Sequence, residues 1–256
     1  PFIGLGQLTY VPDDNFEQAL INLGYDNVLD DYVLTANINT IQTLYVINQN
    51  IYDLTGIEDF TNLIELACDS NQLTSLDVSA NTALIYLYCN YNQLTSLDAN
   101  NPALKMLSCA HNQLISLFIN TTNALTTLHC ANNQLTNLDI SDKLDLRDLY
   151  CHSNQLISLD IRNGNNTNFY HFYGYDNPNL TCISVDDPTW STANWTLIDS
   201  QSYFSSNCNP SAIQEQTTNK KILKITDLLG RETKQTNQPL LYIYDDGTVE
   251  KRITID

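Results

Sequence analysis

The chain has 256 residues, 43% of them hydrophobic, which is enough for a sizeable core, and no run approaches the ~20 apolar residues needed to span a bilayer. Its net charge of −18 is uneven: up to Asn219 there are 4 cations (Lys105, Lys143, Arg147, Arg162) against 23 acids, and from Lys220 onward 7 cations against 6 acids. A body that acidic repels phosphate backbones, which excludes nucleic acid as an expected partner, and the shift at Asn219/Lys220 marks a domain boundary.

In chain order, residues 1–7 (PFIGLGQ), apolar and small, read as the remnant of a secretory signal peptide. An N-terminal helical cap is expected over 8–40. Asp14 and Glu17 have the spacing of a capping box, with Asp14 as N-cap. Phe16, Leu20 and Leu23 form the apolar stripe of a short helix that Gly24 can end. Asp26, Asp30 and Asp31 fit no cation-binding loop and read as solvated.

Residues 41–185 are repetitive. Five units align on Leu-x-x-Leu-x-Cys-x-x-Asn-Gln-Leu, at Leu63–Leu73, Leu84–Leu94, Leu104–Leu114, Leu125–Leu135 and Leu146–Leu156, with a period of 20 or 21 residues. Degenerate units from Ile41 and from Phe169 flank them, making about seven in all. The pattern resembles the leucine-rich repeat. That resemblance implies a solenoid, α/β by convention but mostly β, with one short strand per unit (Ile64–Asp69 in the first full unit) in a curved parallel sheet. Leu63, Leu66, Cys68, Leu73 and Leu76 are expected to point inward. A unit this short has no room for a return helix, so the convex side should be turns and extended or 3₁₀ segments.

Two columns recur in phase. Cys68, Cys89, Cys109, Cys130 and Cys151 occupy an inward position and read as a ladder of buried thiols; parallel side chains on adjacent rungs do not aim their Cβ vectors at one another, as a disulfide requires. Asn71, Asn92, Asn112, Asn133, Asn154 and Asn177 read as a structural ladder whose amides satisfy the backbone of successive turns.

After the repeats, Cys182 falls out of the column register, and Cys208 is its spare partner. A Cys182–Cys208 bridge would pin an aromatic-rich C-terminal cap over 186–208 (Trp190, Trp195, Tyr203, Phe204), which suits an oxidising compartment. Residues 209–219 read as a polar linker. Residues 220–256 read as a small β unit with strands at Ile222–Thr226, Leu241–Tyr244 and Val249–Ile255 and a turn at Asp245-Asp246-Gly247.

With these residues in hand, the chain resembles secreted leucine-rich-repeat proteins of Bacteroidetes-type bacteria, with internalin-like repeats. The resemblance rests on VPDDNFEQALINLGYD, the LxxLxCxxNQLTSLD units and NLTCISVDDP…FSSNC. The tail, KKILKITDLLGRE to PLLYIYDDGTVEKRITID, is similar to the C-terminal sorting domain of type IX secretion cargo. This implies export through the type IX machinery, to the cell surface or the medium.

The pleat fixes which side chains face outward. In Leu-x2-x3-Leu-x5-Cys-x7-x8-Asn, the x positions face the concave surface or its rim. They hold Tyr45, Tyr86, Tyr88, Tyr91, Tyr150, Tyr170, Tyr173 and Tyr175, 8 of the 15 tyrosines, and all four histidines, His111, His129, His152 and His171. Lys105, Met106 and Arg147 join them. Tyrosine offers a large rigid surface with a polar tip, so this concentration points to a ligand face with two patches, one in each half. The ligand is a protein or a surface glycan; a passive surface or matrix repeat protein is the remaining alternative. The histidines, at x8, x5, x7 and x3 of successive units, are expected to run diagonally without converging on a metal. Asp77, Asp98, Asp139 and Asp160 read as a solvated convex stripe. No phosphate loop, HExxH or nucleophile–base pair is present, so no catalytic residue, cofactor or enzymatic activity is expected.

Overall fold

A computed structural model describes residues 6–208 and, further on, the strands Ile222–Asp227, Pro239–Tyr244 and Val249–Ile253. Most of the expected signal-peptide remnant, the whole linker 209–219 and the turn at Asp245–Gly247 lie outside the described residues. Two compact units divide at Cys208/Asn209. In the second, the three strands form an antiparallel sheet with Pro239–Tyr244 in the centre.

The first unit is a mostly β solenoid of about eight turns with little helix. Seven three-residue strands, one per turn from Thr43–Tyr45 to His171–Tyr173, pair in parallel as a single sheet. Each places its central residue, Leu44, Leu66, Leu87, Leu107, Leu128, Leu149 or Phe172, inside. The strands are shorter than the expected Ile64–Asp69, although inter-turn bonds continue past them, from Cys68 N–H to Tyr88 O and from Ser70 N–H to Asn90 O. Leu63, Leu66, Cys68, Leu73 and Leu76 are all buried. Full burial of one such leucine stabilises by about 1.5–3 kcal/mol, but only once a neighbouring turn covers it.

The asparagine ladder stitches the turns together. Asn133 donates from Nδ2 to the carbonyls of Cys109 (3.0 Å), Cys130 (3.1 Å) and Ala131 (3.3 Å), and its Oδ1 accepts from the Leu114 N–H (3.0 Å). Asn71, Asn92, Asn112, Asn154 and Asn177 repeat the arrangement. The x8 residue of all seven turns takes a left-handed conformation: Asn48, Ser70, Tyr91, His111, Asn132, Ser153 and Asp176 have φ between 55° and 57°. The cysteine column stays free and buried from Cys68 to Cys151. Gly174 follows it, because a Cβ there would lie 2.8 Å from the Phe172 ring.

On the convex side the expected extended segments also pair with one another. It carries further parallel strands: Ser96–Asp98 with Ser116–Phe118, and separately Asn137–Asp139, Ser158–Asp160, Cys182–Ser184 and Tyr203–Ser205. Asp77, Asp98, Asp139 and Asp160 are more than a solvated stripe, since each Oδ1 accepts the amide two residues on and turns the chain. At the gap between the two sheets, Phe118 stands in that aspartate column. A second inward ladder runs along this side through Asn81, Asn101, Thr122, Lys143 and Asn166, all buried. Asn81 and Asn101 reach carbonyls of the preceding turn, whereas Thr122 Oγ1 bonds back to Ile119 O in its own turn. Lys143, fully buried, pairs with Asp142 at 2.8 Å.

Both ends are closed. At the front, Leu8–Tyr10 pairs antiparallel with Tyr32–Leu34, and the helix Asp14–Asn22 lays Phe16, Ala19 and Leu20 against the first turn, with the Phe16 ring 6.3 Å from Phe60. Its N-cap is Asp13, whose Oδ1 accepts from the amides of Asn15 and Phe16. Asp14 is the first helical residue, and Glu17 forms no capping box; its buried carboxylate accepts the amides of Asp30 and Asp31. Leu23 is 44% exposed, so Ala19 completes the stripe in its place. Gly24, at φ 81°, bonds to Ile21 O while Tyr25 N bonds to Leu20 O, the Schellman pattern.

At the back, Cys182 and Cys208 are bridged. The segment between them is more than a flap. Tyr203–Ser205 pairs with Cys182–Ser184, 21 residues away, so the parallel register runs one turn beyond Val185. Asp199 closes the asparagine ladder by accepting the amides of Asp176 (2.8 Å) and Asn177 (2.7 Å). Trp195 packs on Phe169, Phe172 and Phe204 beneath the helix Pro188–Asn194.

Candidate functional site

Because the strands are in register, each x column becomes a row of side chains one rung apart. The x5 row reads Tyr45, Ala67, Tyr88, Ser108, His129, Tyr150 and Tyr173, and the x7 row ends in His152 and Tyr175. Aromatic neighbours along a row stack.

In the C-terminal half the rings form one cluster. Tyr150 and Tyr173 lie 4.9 Å apart with planes at 12°, and His152 lies 4.7 Å from Tyr175 at 15°. Tyr150 also sits between His129 (4.9 Å) and His171 (6.0 Å). Tyrosines link three of the histidines, His129, His152 and His171, into one patch. Asp148, which the sequence reading passed over, holds His171 by a 2.6 Å contact to Nδ1. Among the described residues no three His, Cys, Asp or Glu side chains are placed to hold a metal.

Burial, then the charges of His152 and His111, lowers the pKa of His129; burial, then His111, lowers that of His152. Burial followed by Asp148 and Tyr173 raises the Tyr150 phenol. At the rim, Tyr170 is 68% exposed and carries the Arg147 guanidinium 5.8 Å from its ring centre, with a 3.3 Å bond from Nη1 to the phenol oxygen.

The N-terminal half is looser. Tyr91 and His111 stack at 4.2 Å and 8°. The Tyr88 hydroxyl donates to Met106 Sδ at 3.3 Å, Tyr86 and Tyr45 are exposed, and a bond to Glu65 raises the Tyr45 phenol. Lys105 is exposed in the x2 row, two rungs from Arg147. The other two cations of this unit are elsewhere, Lys143 buried and Arg162 on Asp160. All fifteen expected residues thus lie on the sheet's outward positions or its rim, but in two separate groups and not as one pocket. One cavity, about 410 Å³ and lined by Asp53, Glu58 and Asp77, lies at the convex side and includes none of them.

The thiols of this unit offer no chemistry to that face. Burial pushes Cys130 up to about 12 and raises the other four ladder cysteines further above their ordinary value.

Among solved structures the chain is similar to the functional domain of InlJ from Listeria monocytogenes, which includes a cysteine ladder; identity is 33%, the TM-score 0.54, and the match covers 70% of this chain and 38% of that one. The fold is the leucine-rich-repeat solenoid of internalins. Two further Listeria monocytogenes internalins agree in fold: inlF (19% identity, TM-score 0.55, 77% of this chain and 71% of that) and inlC2 (20%, 0.54, 82% and 94%). In sequence, 73 residues are 36% identical to Internalin J of Listeria monocytogenes serotype 4b (strain F2365), which is 28% of this chain and 8% of that protein. No family model matches the chain.

Proposed function

We propose that this protein is a secreted or cell-surface interaction module that binds a protein ligand through the concave face of its solenoid. The carrying observation is the way the rings are arranged. Tyr150 with Tyr173, His152 with Tyr175 and Tyr91 with His111 lie within 15° of parallel, so each of these rings has one face covered by its partner. Such rows offer ring edges and hydroxyl tips along their length, which suits the mixed apolar and polar surface of a protein. A sugar ring needs an open aromatic face, and the stacking leaves few of these along the rows, so glycan binding stands second. Similarity to internalins supports the interaction reading, and the Cys182–Cys208 bridge supports an oxidising compartment. The charge shift at Lys220 and the three-stranded C-terminal unit support the reading of that segment as a type IX sorting domain.

Replacing Tyr88, Tyr150 and Tyr173 by Ala tests the proposal. The variant is expected to lose at least tenfold in affinity for the partner captured from surface-protein fractions, while its melting temperature falls only a few degrees. A glycan array run in parallel decides the alternative: saturable, triple-variant-sensitive glycan binding with no protein partner would overturn the protein reading.

A further inference from the structure

We propose that Tyr91 and its neighbours form a slot for one planar aromatic side chain of the ligand, at the rim of the N-terminal half; this rests on the concave-face reading above. The signal is a conflict between residue type and backbone. The x8 position requires φ near +55°, and five of its seven occupants are Asn48, Ser70, Asn132, Ser153 and Asp176, small residues of which Asn and Asp are the readiest to adopt it. Tyr91 and His111 hold the same conformation with bulky rings, at φ 55° each. Histidine, like Asn and Asp, is enriched in this conformation, so Tyr91 is the outlier of the row, and outliers of this kind cluster at ligand sites. Nothing in the fold requires a ring, since the other five turns close without one.

The geometry gives the ring a use. Backbone bonds from Asn48 to Asp69, Ser70 to Asn90 and Tyr91 to Ala110 set Asn48, Ser70, Tyr91 and His111 on four successive rungs. His111 covers one face of Tyr91 at 4.2 Å, and Asn132 Nδ2 lies 3.4 Å from His111 Nε2 at the far end of the stack. The other face of Tyr91 looks along the row over Ser70, an exposed small residue, and Tyr91 itself is 56% exposed. Tyr91 and Asn48 are two rungs apart, about 9.6 Å at ~4.8 Å per rung. A flat ring inserted midway, over Ser70, lies about 4.8 Å from the Tyr91 face, within the range of ring stacking, on the side where Asn48 follows.

The test uses the full chain and the probe N-acetyl-tryptophanamide at millimolar concentration, read by NMR on the aromatic signals of Tyr91 and His111. Upfield ring-current shifts of Tyr91 that saturate are expected, with accompanying shifts of His111 that vanish in Tyr91→Asn. Restoring the column's own residue type is also expected to leave the melting temperature unchanged or raised; a fall of more than about 2 °C would make the stack a structural brace and overturn the proposal. Absence of saturable shifts overturns it, as does an equal shift with cellohexaose, which would make the slot a carbohydrate shelf. The titration is repeated in Tyr150→Ala/Tyr173→Ala, where the Tyr91 shifts persist, so the slot stands or falls separately from the wider face.

Discussion

The asparagine ladder makes a quantitative demand. Replacing Asn133 by Ala removes four hydrogen bonds, but the partners are not equally harmed. Cys109 O keeps Asn112 Nδ2 at 3.1 Å, Cys130 O keeps Asn154 Nδ2 at 3.0 Å, and Ala131 O keeps the His111 amide at 3.0 Å. The buried Leu114 N–H has only Asn133 Oδ1 and is orphaned. An unsatisfied buried donor costs about 1–3 kcal/mol, and the weakened carbonyl contacts add about 1, so the expected loss is about 3 kcal/mol. For a unit of this size that is a fall of roughly 6–12 °C in melting temperature, measured by circular dichroism, with faster exchange of the Leu114 amide. Asn112→Ala is the internal control: Asn112 is half-buried, so water can reach the Leu94 amide it serves, and the fall should be less than half as large. Asn133→Asp should be no milder than Ala, since a carboxylate oxygen would face three carbonyls. If Asn133→Ala and Asn112→Ala both melt within about 2 °C of the parent, the ladder does not hold the turns together and the reasoning is wrong.

Denatured without reductant, the chain should titrate five free thiols; seven would remove the C-terminal bridge, and fewer than five would mean that ladder cysteines pair. Folding lowers the pKa of His129 and His152, so the unfolded chain takes up protons first as pH falls. Stability should accordingly be flat above about pH 7.5 and decline as pH drops through their ordinary value of 6.5. Melting at pH 7.5 and 5.5 measures this, and a His129→Gln/His152→Gln variant that keeps the full difference would refute the assignment. A chain ending at Pro210 should fold and melt within a few degrees of the full chain, because the two compact units divide at Cys208/Asn209, and should stay in the periplasm of a type IX–competent host; normal export would refute the sorting role.

The repeating columns made the solenoid legible in the sequence, because a residue recurring every 20 or 21 positions reports its environment several times over. Cys68 to Cys151, Asn71 to Asn177 and the outward rings were all readable for that reason. Features set by a single long-range contact were not. The choice of Asp13 over Asp14 as the helix cap is settled by the amides of Tyr52 and Asp53, which bond to the other carboxylate oxygen of Asp13. The convex strands were missed since Ser-Leu-Asp is too short to show alternation. The second ladder carried a signal that was there to be found, three residues before Leu84, Leu104, Leu125, Leu146 and Phe169, but its changing identity from Asn to Thr to Lys hid it. At the candidate site the rows could be read, whereas the pairing of His171 with Asp148 depends on rotamers that only the folded rows select.

Each inter-turn bond of the asparagine ladder spans one repeat length. Those of Asn92, Asn133 and Asn154 join residues 19 to 24 positions apart, and none of them reaches across two turns. The reach of the proposed ligand face is therefore a counted quantity. Duplicating one whole unit, such as 125–145, adds a rung of about 4.8 Å and moves the two ring clusters apart by that step while leaving every stitch intact. Deleting one unit brings them together by the same amount. Distance between the clusters is thus adjustable by copy number alone, with no new contact to invent, and selection can fit this face to a longer or shorter target in whole steps.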